Sequence, residues 1–225
     1  MASGAGSNHR LRPKTGRRHS TLEKQTGFRQ TAIAKLHSVK LILASQSPRR
    51  RELLAILGIP FTVAPSAVPE IPHPDETAER FAVRVAREKG MDVASRVSGS
   101  VVLAADTVVT INGEILGKPV DSADAVRMLR LLSGRRHAVF TAICLINQDR
   151  NEVLEGIDRT DVWFDPLTDE QIHDYLRRED VMDKAGAYAI QGYAGVYIPK
   201  IEGNYFNVMG LPLPLAFQLL CRTLS

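Results

Sequence analysis

A chain of 225 residues, 44% hydrophobic and 24% charged, carries enough apolar matter for one medium α/β domain, alone or with a tail. It has no run of about 18 apolar residues, which argues against a transmembrane helix, and its two cysteines, Cys144 and Cys221, lack metal-ligand spacing and read as buried thiols. The net charge of +4 sits at the start: residues 1–39 hold eight Lys/Arg against Glu23, a balance of +7 that leaves −3 for residues 40–225 and no general case for nucleic-acid binding by the body.

Residues 1–39 are rich in Ser, Thr, Gly and Arg and read as a disordered basic extension; residues 40–225 read as the folded domain. The expected location is cytoplasmic, with an organellar one as the alternative if the Arg-rich, acid-poor start is a transit peptide. From Lys40, strands and helices alternate. Leu41–Ala44 reads as a short buried strand. A helix is predicted over Pro48–Leu57, with Ser47 as N-cap, Pro48 in the first position and Gly58 as the stop. Phe61–Val63 reads as a strand. Thr77–Val97 reads as a helix with Ala78, Phe81, Ala82, Val85 and Ala86 on one face. A strand is predicted over Ser100–Ala105, then a hairpin over Val108–Leu116 about Asn112-Gly113. Ser122 is expected to cap a helix through Leu132, closed by Gly134. Two long strands near His137–Ile146 and Glu152–Phe164 follow, then a helix over Thr168–Leu176. Gly195–Val208 reads as a further β pair, and Leu211–Leu220 as a final helix. The alternation points to an α/β fold with a mixed, twisted sheet.

The chemistry gathers at a few places. In Ser45-Gln46-Ser47-Pro48-Arg49-Arg50-Arg51, cations open a helix, where the dipole repels them. They fit there if an anion binds: a di- or triphosphate would meet hydroxyls, amides and guanidiniums together. The alternative is a solvated basic turn. The spacing is not a Walker loop. Asp106, expected at the C-terminal end of an apolar strand with Thr107 beside it, can hold a divalent metal or activate water, or simply cap a turn. Glu70, after the second strand, reads as a second metal ligand or as an exposed loop acid. Lys89 continues the apolar stripe of its helix, so it either reaches a phosphate or snorkels outward. Lys118, in a Gly-Pro turn, is a phosphate clamp or a surface lysine. Tyr188 and Gln191, in a glycine-bounded loop, can stack on and hydrogen-bond a nucleobase, or be a buried Tyr beside an exposed Gln. His73, His137 and His173 have no paired spacing, and neither a zinc site nor a nucleophile elbow is present.

The segments LASQSPRRRELL, ADTVV, LGKP, LSGRRHAVFTAI, DKAGAYAIQG and GNYFNVMGLPL resemble, in order, the motifs of the Maf-like nucleoside triphosphate pyrophosphatases, over Lys40 to the C-terminus. The resemblance implies a mixed sheet flanked by helices, with two lobes around a cleft, as in the inosine triphosphate pyrophosphatases. It also implies hydrolysis of a nucleoside triphosphate to the monophosphate and pyrophosphate with a divalent cation, Mg²⁺ or Mn²⁺. The subgroup acting on dTTP and UTP carries SxSPRR, ADT and DKAGAYxIQG, all matched here. The subgroup acting on 7-methylguanosine triphosphate has a different residue after the acid and an E-S-A-G loop. The resemblance implies Asp106 as proton acceptor and metal ligand, with Glu70 as a second, more weakly matched ligand. Arg49, Thr107 and Gln191 would set specificity, and Ser45, Ser47, Arg50, Lys89 and Lys118 would contact phosphate. Ala142 stands where many members have Gly. Members are often dimers, so a homodimer is implied. The alternative readings are the 7-methylguanosine triphosphate activity and a nucleotide-binding regulator of septum formation; neither a membrane partner nor strong nucleic-acid binding by the body is expected.

Overall fold

The computed structural model describes Met1 and residues 35–223. Most of the expected basic extension, residues 2–34, lies outside the described residues. Lys35 to Val39 are described, and Leu36 there is 1% exposed and joins the core, so the packed body takes in Leu36, four residues before the expected boundary.

Seven strands form one mixed sheet. β1 (Leu41–Leu43) lies between β2 (Phe61–Val63) and β3 (Val101–Ile111), parallel to both. β4 (Glu114–Leu116), β5 (Arg136–Asn147), β6 (Glu152–Trp163) and β7 (Lys200–Glu202) add antiparallel pairings, giving the order β2-β1-β3-β5-β6-β7 with β4 hairpinned on β3. The hairpin turn has the expected chemistry: Asn112 and Gly113 both take positive φ, 52° and 83°, as a two-residue turn of this hand requires.

The helices follow their local signals. α1 (Pro48–Ile56) starts with Ser47 accepting from the Arg50 amide, buries Leu53 and Leu54, and ends at Leu57 before Gly58 at φ +67°. α2 (Ala78–Ala94) is capped by Thr77 and buries Phe81, Ala82, Val85, Ala86 and Lys89 on one stripe. α3 (Ser122–Leu132) is capped by Asp121, not by Ser122 as expected: the Asp121 carboxylate accepts from the Asp124 amide at 2.7 Å. α4 (Asp169–Arg178) carries a capping box of Thr168 and Gln171, with acids in its first turn and arginines in its last, matching the dipole at both ends. α5 (Tyr205–Met209) and α6 (Leu213–Thr223) finish the described chain.

Two expectations give way to tertiary packing. The strand expected to stop at Ala105 runs on through the first arm of the hairpin to Ile111, because β5 pairs with it without a break from Val101 to Thr110. Asp106 is therefore mid-strand. It does stand beyond the parallel part of the sheet, since β1 ends opposite Leu103. The β pair expected over Gly195–Val208 contributes one three-residue strand, β7, paired to β6. At Gly203, φ is +130°, and an added Cβ would lie 2.8 Å from the Arg159 carbonyl oxygen. The chain turns there, and Asn204 caps α5 by accepting from the Phe206 amide.

β3 and β5 run through both lobes. Their first halves are covered on one face by α1 and α6, around Leu43, Leu103 and Leu145, and on the other by α2, around Ile42, Val102 and Cys144. Their far halves carry α3, α4 and the loop around Tyr188, packed on Val109, Val139 and Val162. Cys144 and Cys221 are both buried. Among the described residues, no helix is long and apolar enough to cross a membrane.

Candidate active site

Side chains alternate across a strand. Along β3, Val102 and Ala104 face α2, whereas Val101, Leu103 and Ala105 face α1 and α6. Asp106 continues the first set and meets Lys89 of α2; Thr107 continues the second and meets Arg50 of α1. β1 has already ended, so both positions open onto a cleft of about 730 Å³. The β1–α1 turn supplies Ser45, Ser47, Arg49 and Arg50 to this cleft, the loop after β2 supplies Glu70, and the turn after β4 supplies Lys118. Lys89 and Gln191 complete the set. All ten residues expected at the site thus line one cavity.

Lys89 does not snorkel. It is 7% exposed, and its ammonium donates to Asp106 Oδ1 at 2.7 Å and to Glu70 Oε1 at 2.8 Å. Lys118 donates to both Glu70 oxygens at 3.1 Å. Burial pushes Asp106 above its ordinary value, against the pull of Lys89 and Arg50. Burial alone would raise Glu70 too, but Lys89 and Lys118 outweigh it and hold that carboxyl down at about 2. A depressed carboxyl stabilises the fold above its unfolded value and loses that contribution as pH falls through the folded one. In metal-free buffer, Glu70→Gln is therefore expected to flatten the fall of Tm with pH between about 4.5 and 2; an unchanged acid limb in thermal melts would show the ion pairs contribute nothing.

On the other face of β3, hydrogen-bond directions can be assigned. Arg50 donates to the Gly210 carbonyl at 2.8 Å, to Thr107 Oγ1 at 2.9 Å and to Ser45 Oγ at 3.4 Å. The Thr141 hydroxyl donates to the Asn207 carbonyl at 2.8 Å. Its single hydrogen is thus spent, so in the 3.0 Å contact between the two threonines Thr107 is the donor. Arg50 uses three of its five N–H donors on this scaffold, leaving about two for a ligand. The helix start is poorer in free amides than its sequence suggests: Pro48 has none, Ser47 donates to Ser45 Oγ, and Arg50 donates to Ser47 Oγ. Of the first four positions, the Arg49 amide remains. Anion capacity here rests mainly on guanidinium and ammonium groups.

Arg49 crosses the cleft, its guanidinium donating to Asp183 Oδ2 at 2.9 Å and to the Asp183 carbonyl at 3.3 Å. Arg51 is exposed. Tyr188 is a buried tyrosine, edge-on to Phe164 and His137, with its hydroxyl 2.7 Å from His137 Nε2. His137 is structural, and burial lowers it to about 4. Gln191 is exposed and makes no side-chain hydrogen bond among the described residues.

A divalent cation suits the donor set. The Lys89 ammonium takes Asp106 Oδ1 and Glu70 Oε1, Asp106 Oδ2 accepts no hydrogen bond among the described residues, and Mg²⁺ commonly takes one or two carboxylates with substrate phosphates completing its shell. Among the described residues, no cluster of three or more acidic, His or Cys side chains makes a self-sufficient cage, so phosphate oxygens would be needed.

Sequence reasoning passed over Asp183, Thr141 and Asn207. Each lies inside a motif quoted above, but its partner is 34 or more positions away; sheet register joins Thr107 to Thr141, and the packing of loops and helices on the sheet brings the other pairs together.

A sequence model of the family described as "Maf-like protein" matches residues 40–223. A dTTP/UTP pyrophosphatase of Geobacter sulfurreducens is 50% identical over 174 residues, covering 77% of this chain and 91% of that protein. The dTTP/UTP pyrophosphatase of Escherichia coli is 47% identical over 181 residues, covering 80% and 91%. That of Symbiobacterium thermophilum is 49% identical over 190 residues, covering 81% and 93%.

Proposed function

The chain belongs to the Maf-like protein family, and on that premise we propose that it is a nucleoside triphosphate pyrophosphatase that hydrolyses dTTP and UTP to the monophosphate and pyrophosphate. Relatives named dTTP/UTP pyrophosphatase support the substrate pair. The observation that carries the reading is the charge in the cleft. Arg49, Arg50, Lys89, Lys118 and Lys184 line it against Glu70, Asp106 and Asp183, a net +2 in a body of net charge −3. Such focusing attracts a polyanion. A cytoplasmic location belongs to the same reading, as a compartment that supplies nucleoside triphosphates; an organelle that supplies them is the alternative.

The chemistry adds water across the α–β anhydride. A P–O bond forms to the water oxygen, the anhydride P–O bond breaks, and the electron pair leaves with pyrophosphate. Asp106, at the cleft wall beside Lys89, accepts the proton lost by the water. Arg50, oriented by Gly210 and Thr107, and Lys118 hold phosphate oxygens as their charge grows. Asp106 and Glu70 are the residues that would hold Mg²⁺ or Mn²⁺, which when bound supplies charge neutralisation on phosphate and a more acidic water. Arg49, Thr107 and Gln191 would choose the base.

The test is pyrophosphate release from dTTP, UTP, 7-methylguanosine triphosphate and purine triphosphates. Preference for dTTP and UTP is expected; preference for the methylated purine would assign the other subgroup, and no release from any would leave a binding protein. In the same panel, Arg49→Ala is expected to change the ratio of kcat/KM values between nucleotides by roughly tenfold. Arg51→Ala should leave the ratio alone, and equal effects of the two would remove Arg49 from base selection.

A further inference from the structure

Gln191 has no side-chain hydrogen bond among the described residues, so its place at the cleft depends on its backbone. That backbone is held on both sides by one helix end. Before Gln191, the Ala189 amide donates to the Tyr175 hydroxyl of α4 at 3.3 Å. After it, the Tyr193 amide donates to Oε1 of Glu179, the residue that closes α4, at 2.8 Å. The Arg178 guanidinium lies over the Tyr193 ring, 4.8 Å from its centroid. Between these anchors stands Gly192. A Cβ there would lie 2.6 Å from Glu179 Oε1 and 3.0 Å from its Cδ, and the three nearest heavy atoms all belong to Glu179. Its φ of −96° is open to any residue, so glycine is needed here for the carboxylate and not for the backbone.

We propose that Glu179 is a positioning residue for base selection: its carboxylate, seated in the space left by Gly192, fixes the Tyr193 amide and thereby aims Gln191 at the nucleobase. The inference rests on the reading of the cleft as a dTTP/UTP site with Gln191 at the base. Glu179 itself does not line the cleft; it acts through two residues of backbone. An acceptor is required, whereas a charge is not, because the partner is a neutral amide.

Three variants test this in the full-length protein, with KM and kcat measured over the nucleotide panel. Glu179→Ala is expected to raise KM for dTTP and UTP about tenfold with kcat within about twofold, narrowing the preference over other nucleotides. Glu179→Gln, which keeps an amide oxygen as acceptor, should recover most of that loss. Gly192→Ala should reproduce Glu179→Ala by displacing the carboxylate, a flexible side-chain end. The double variant should be no worse than either single one, since both remove one contact. Amide exchange at Tyr193 should quicken in Glu179→Ala without substrate present. Parental KM values and ranking in Glu179→Ala, a uniform loss of rate that Glu179→Gln does not rescue, or additive effects in the double variant would each overturn the proposal. Gln191→Ala in the same panel separates the two readings. If it shifts the ranking and Glu179→Ala does not, positioning alone fails. If Gln191→Ala leaves the ranking unchanged, the assignment of Gln191 to the base fails and the inference falls with it.

Discussion

Replacing Asp106 by Asn is expected to lower kcat/KM for dTTP and UTP about 10³-fold, the scale of losing a positioned proton acceptor. Asparagine keeps the shape and can still accept a hydrogen bond from Lys89, but it takes no proton from water. The fold should tolerate it. Asp106 is 2% exposed, and burial disfavours its charged form, so a neutral replacement removes a desolvation cost while Lys89 keeps Glu70 as a counter-charge. Tm should therefore stay within about 4 °C of the parent, the shift that roughly 1 kcal/mol produces in a chain of this size. Activity needs the ionised carboxylate, so it should fall at acid pH as Asp106 takes up a proton. Full activity in Asp106→Asn would remove Asp106 from the proton-accepting role.

Lys89→Met is the second large effect, and it differs in kind. Methionine keeps the length and apolar stem but removes the ammonium that two carboxylates share. Taking one partner from a buried ionic cluster costs about 3 kcal/mol or more, so thermal unfolding should begin well below that of the parent. Asp106 and Glu70 then face each other as like charges, which drives one of them to hold a proton at neutral pH. Activity should fall about 10²-fold as the electrostatic support is lost. Added Mn²⁺ should raise the Tm of Lys89→Met more than that of the parent, because the point between the carboxylates is open to another cation. A variant as stable as the parent would show that the ion pairs are worth nothing net. One that is destabilised yet indifferent to Mn²⁺ would remove Glu70 and Asp106 as a shared metal site.

The helices with strong local signals were legible: Ser47 caps as expected, and Thr77 and Thr168, expected as the first residues of their helices, cap them from just outside, whereas α5 lies in a segment expected as β. The Asn112-Gly113 turn was legible for the same reason. The length of β3 was not, since its residues past Ala105 are in a strand by virtue of β5, which arrives some thirty positions later. Gly195–Val208 misled because apolar and polar residues alternate there, as they do in a strand. What decides its path is the close approach of Gly203 to Arg159 and Thr160, a contact with another strand.

The same division runs through the cleft. Local sequence shows which chemistry is on offer: a cationic helix start beside two serines, an acid on an apolar strand, and a lysine on an apolar stripe. Those follow from composition over a few positions, and they were enough to point to a polyphosphate. The partnerships come from packing. Strand parity sends Asp106 to Lys89 and its neighbour Thr107 to Arg50. Arg49 finds Asp183 across 134 positions, and Arg50 finds the Gly210 carbonyl across 160. Glu179 meets Tyr193 only because Gly192 leaves room. Hydrogen bonds and ion pairs act over a few ångströms, and no local pattern records which distant segments the packed core brings within that reach.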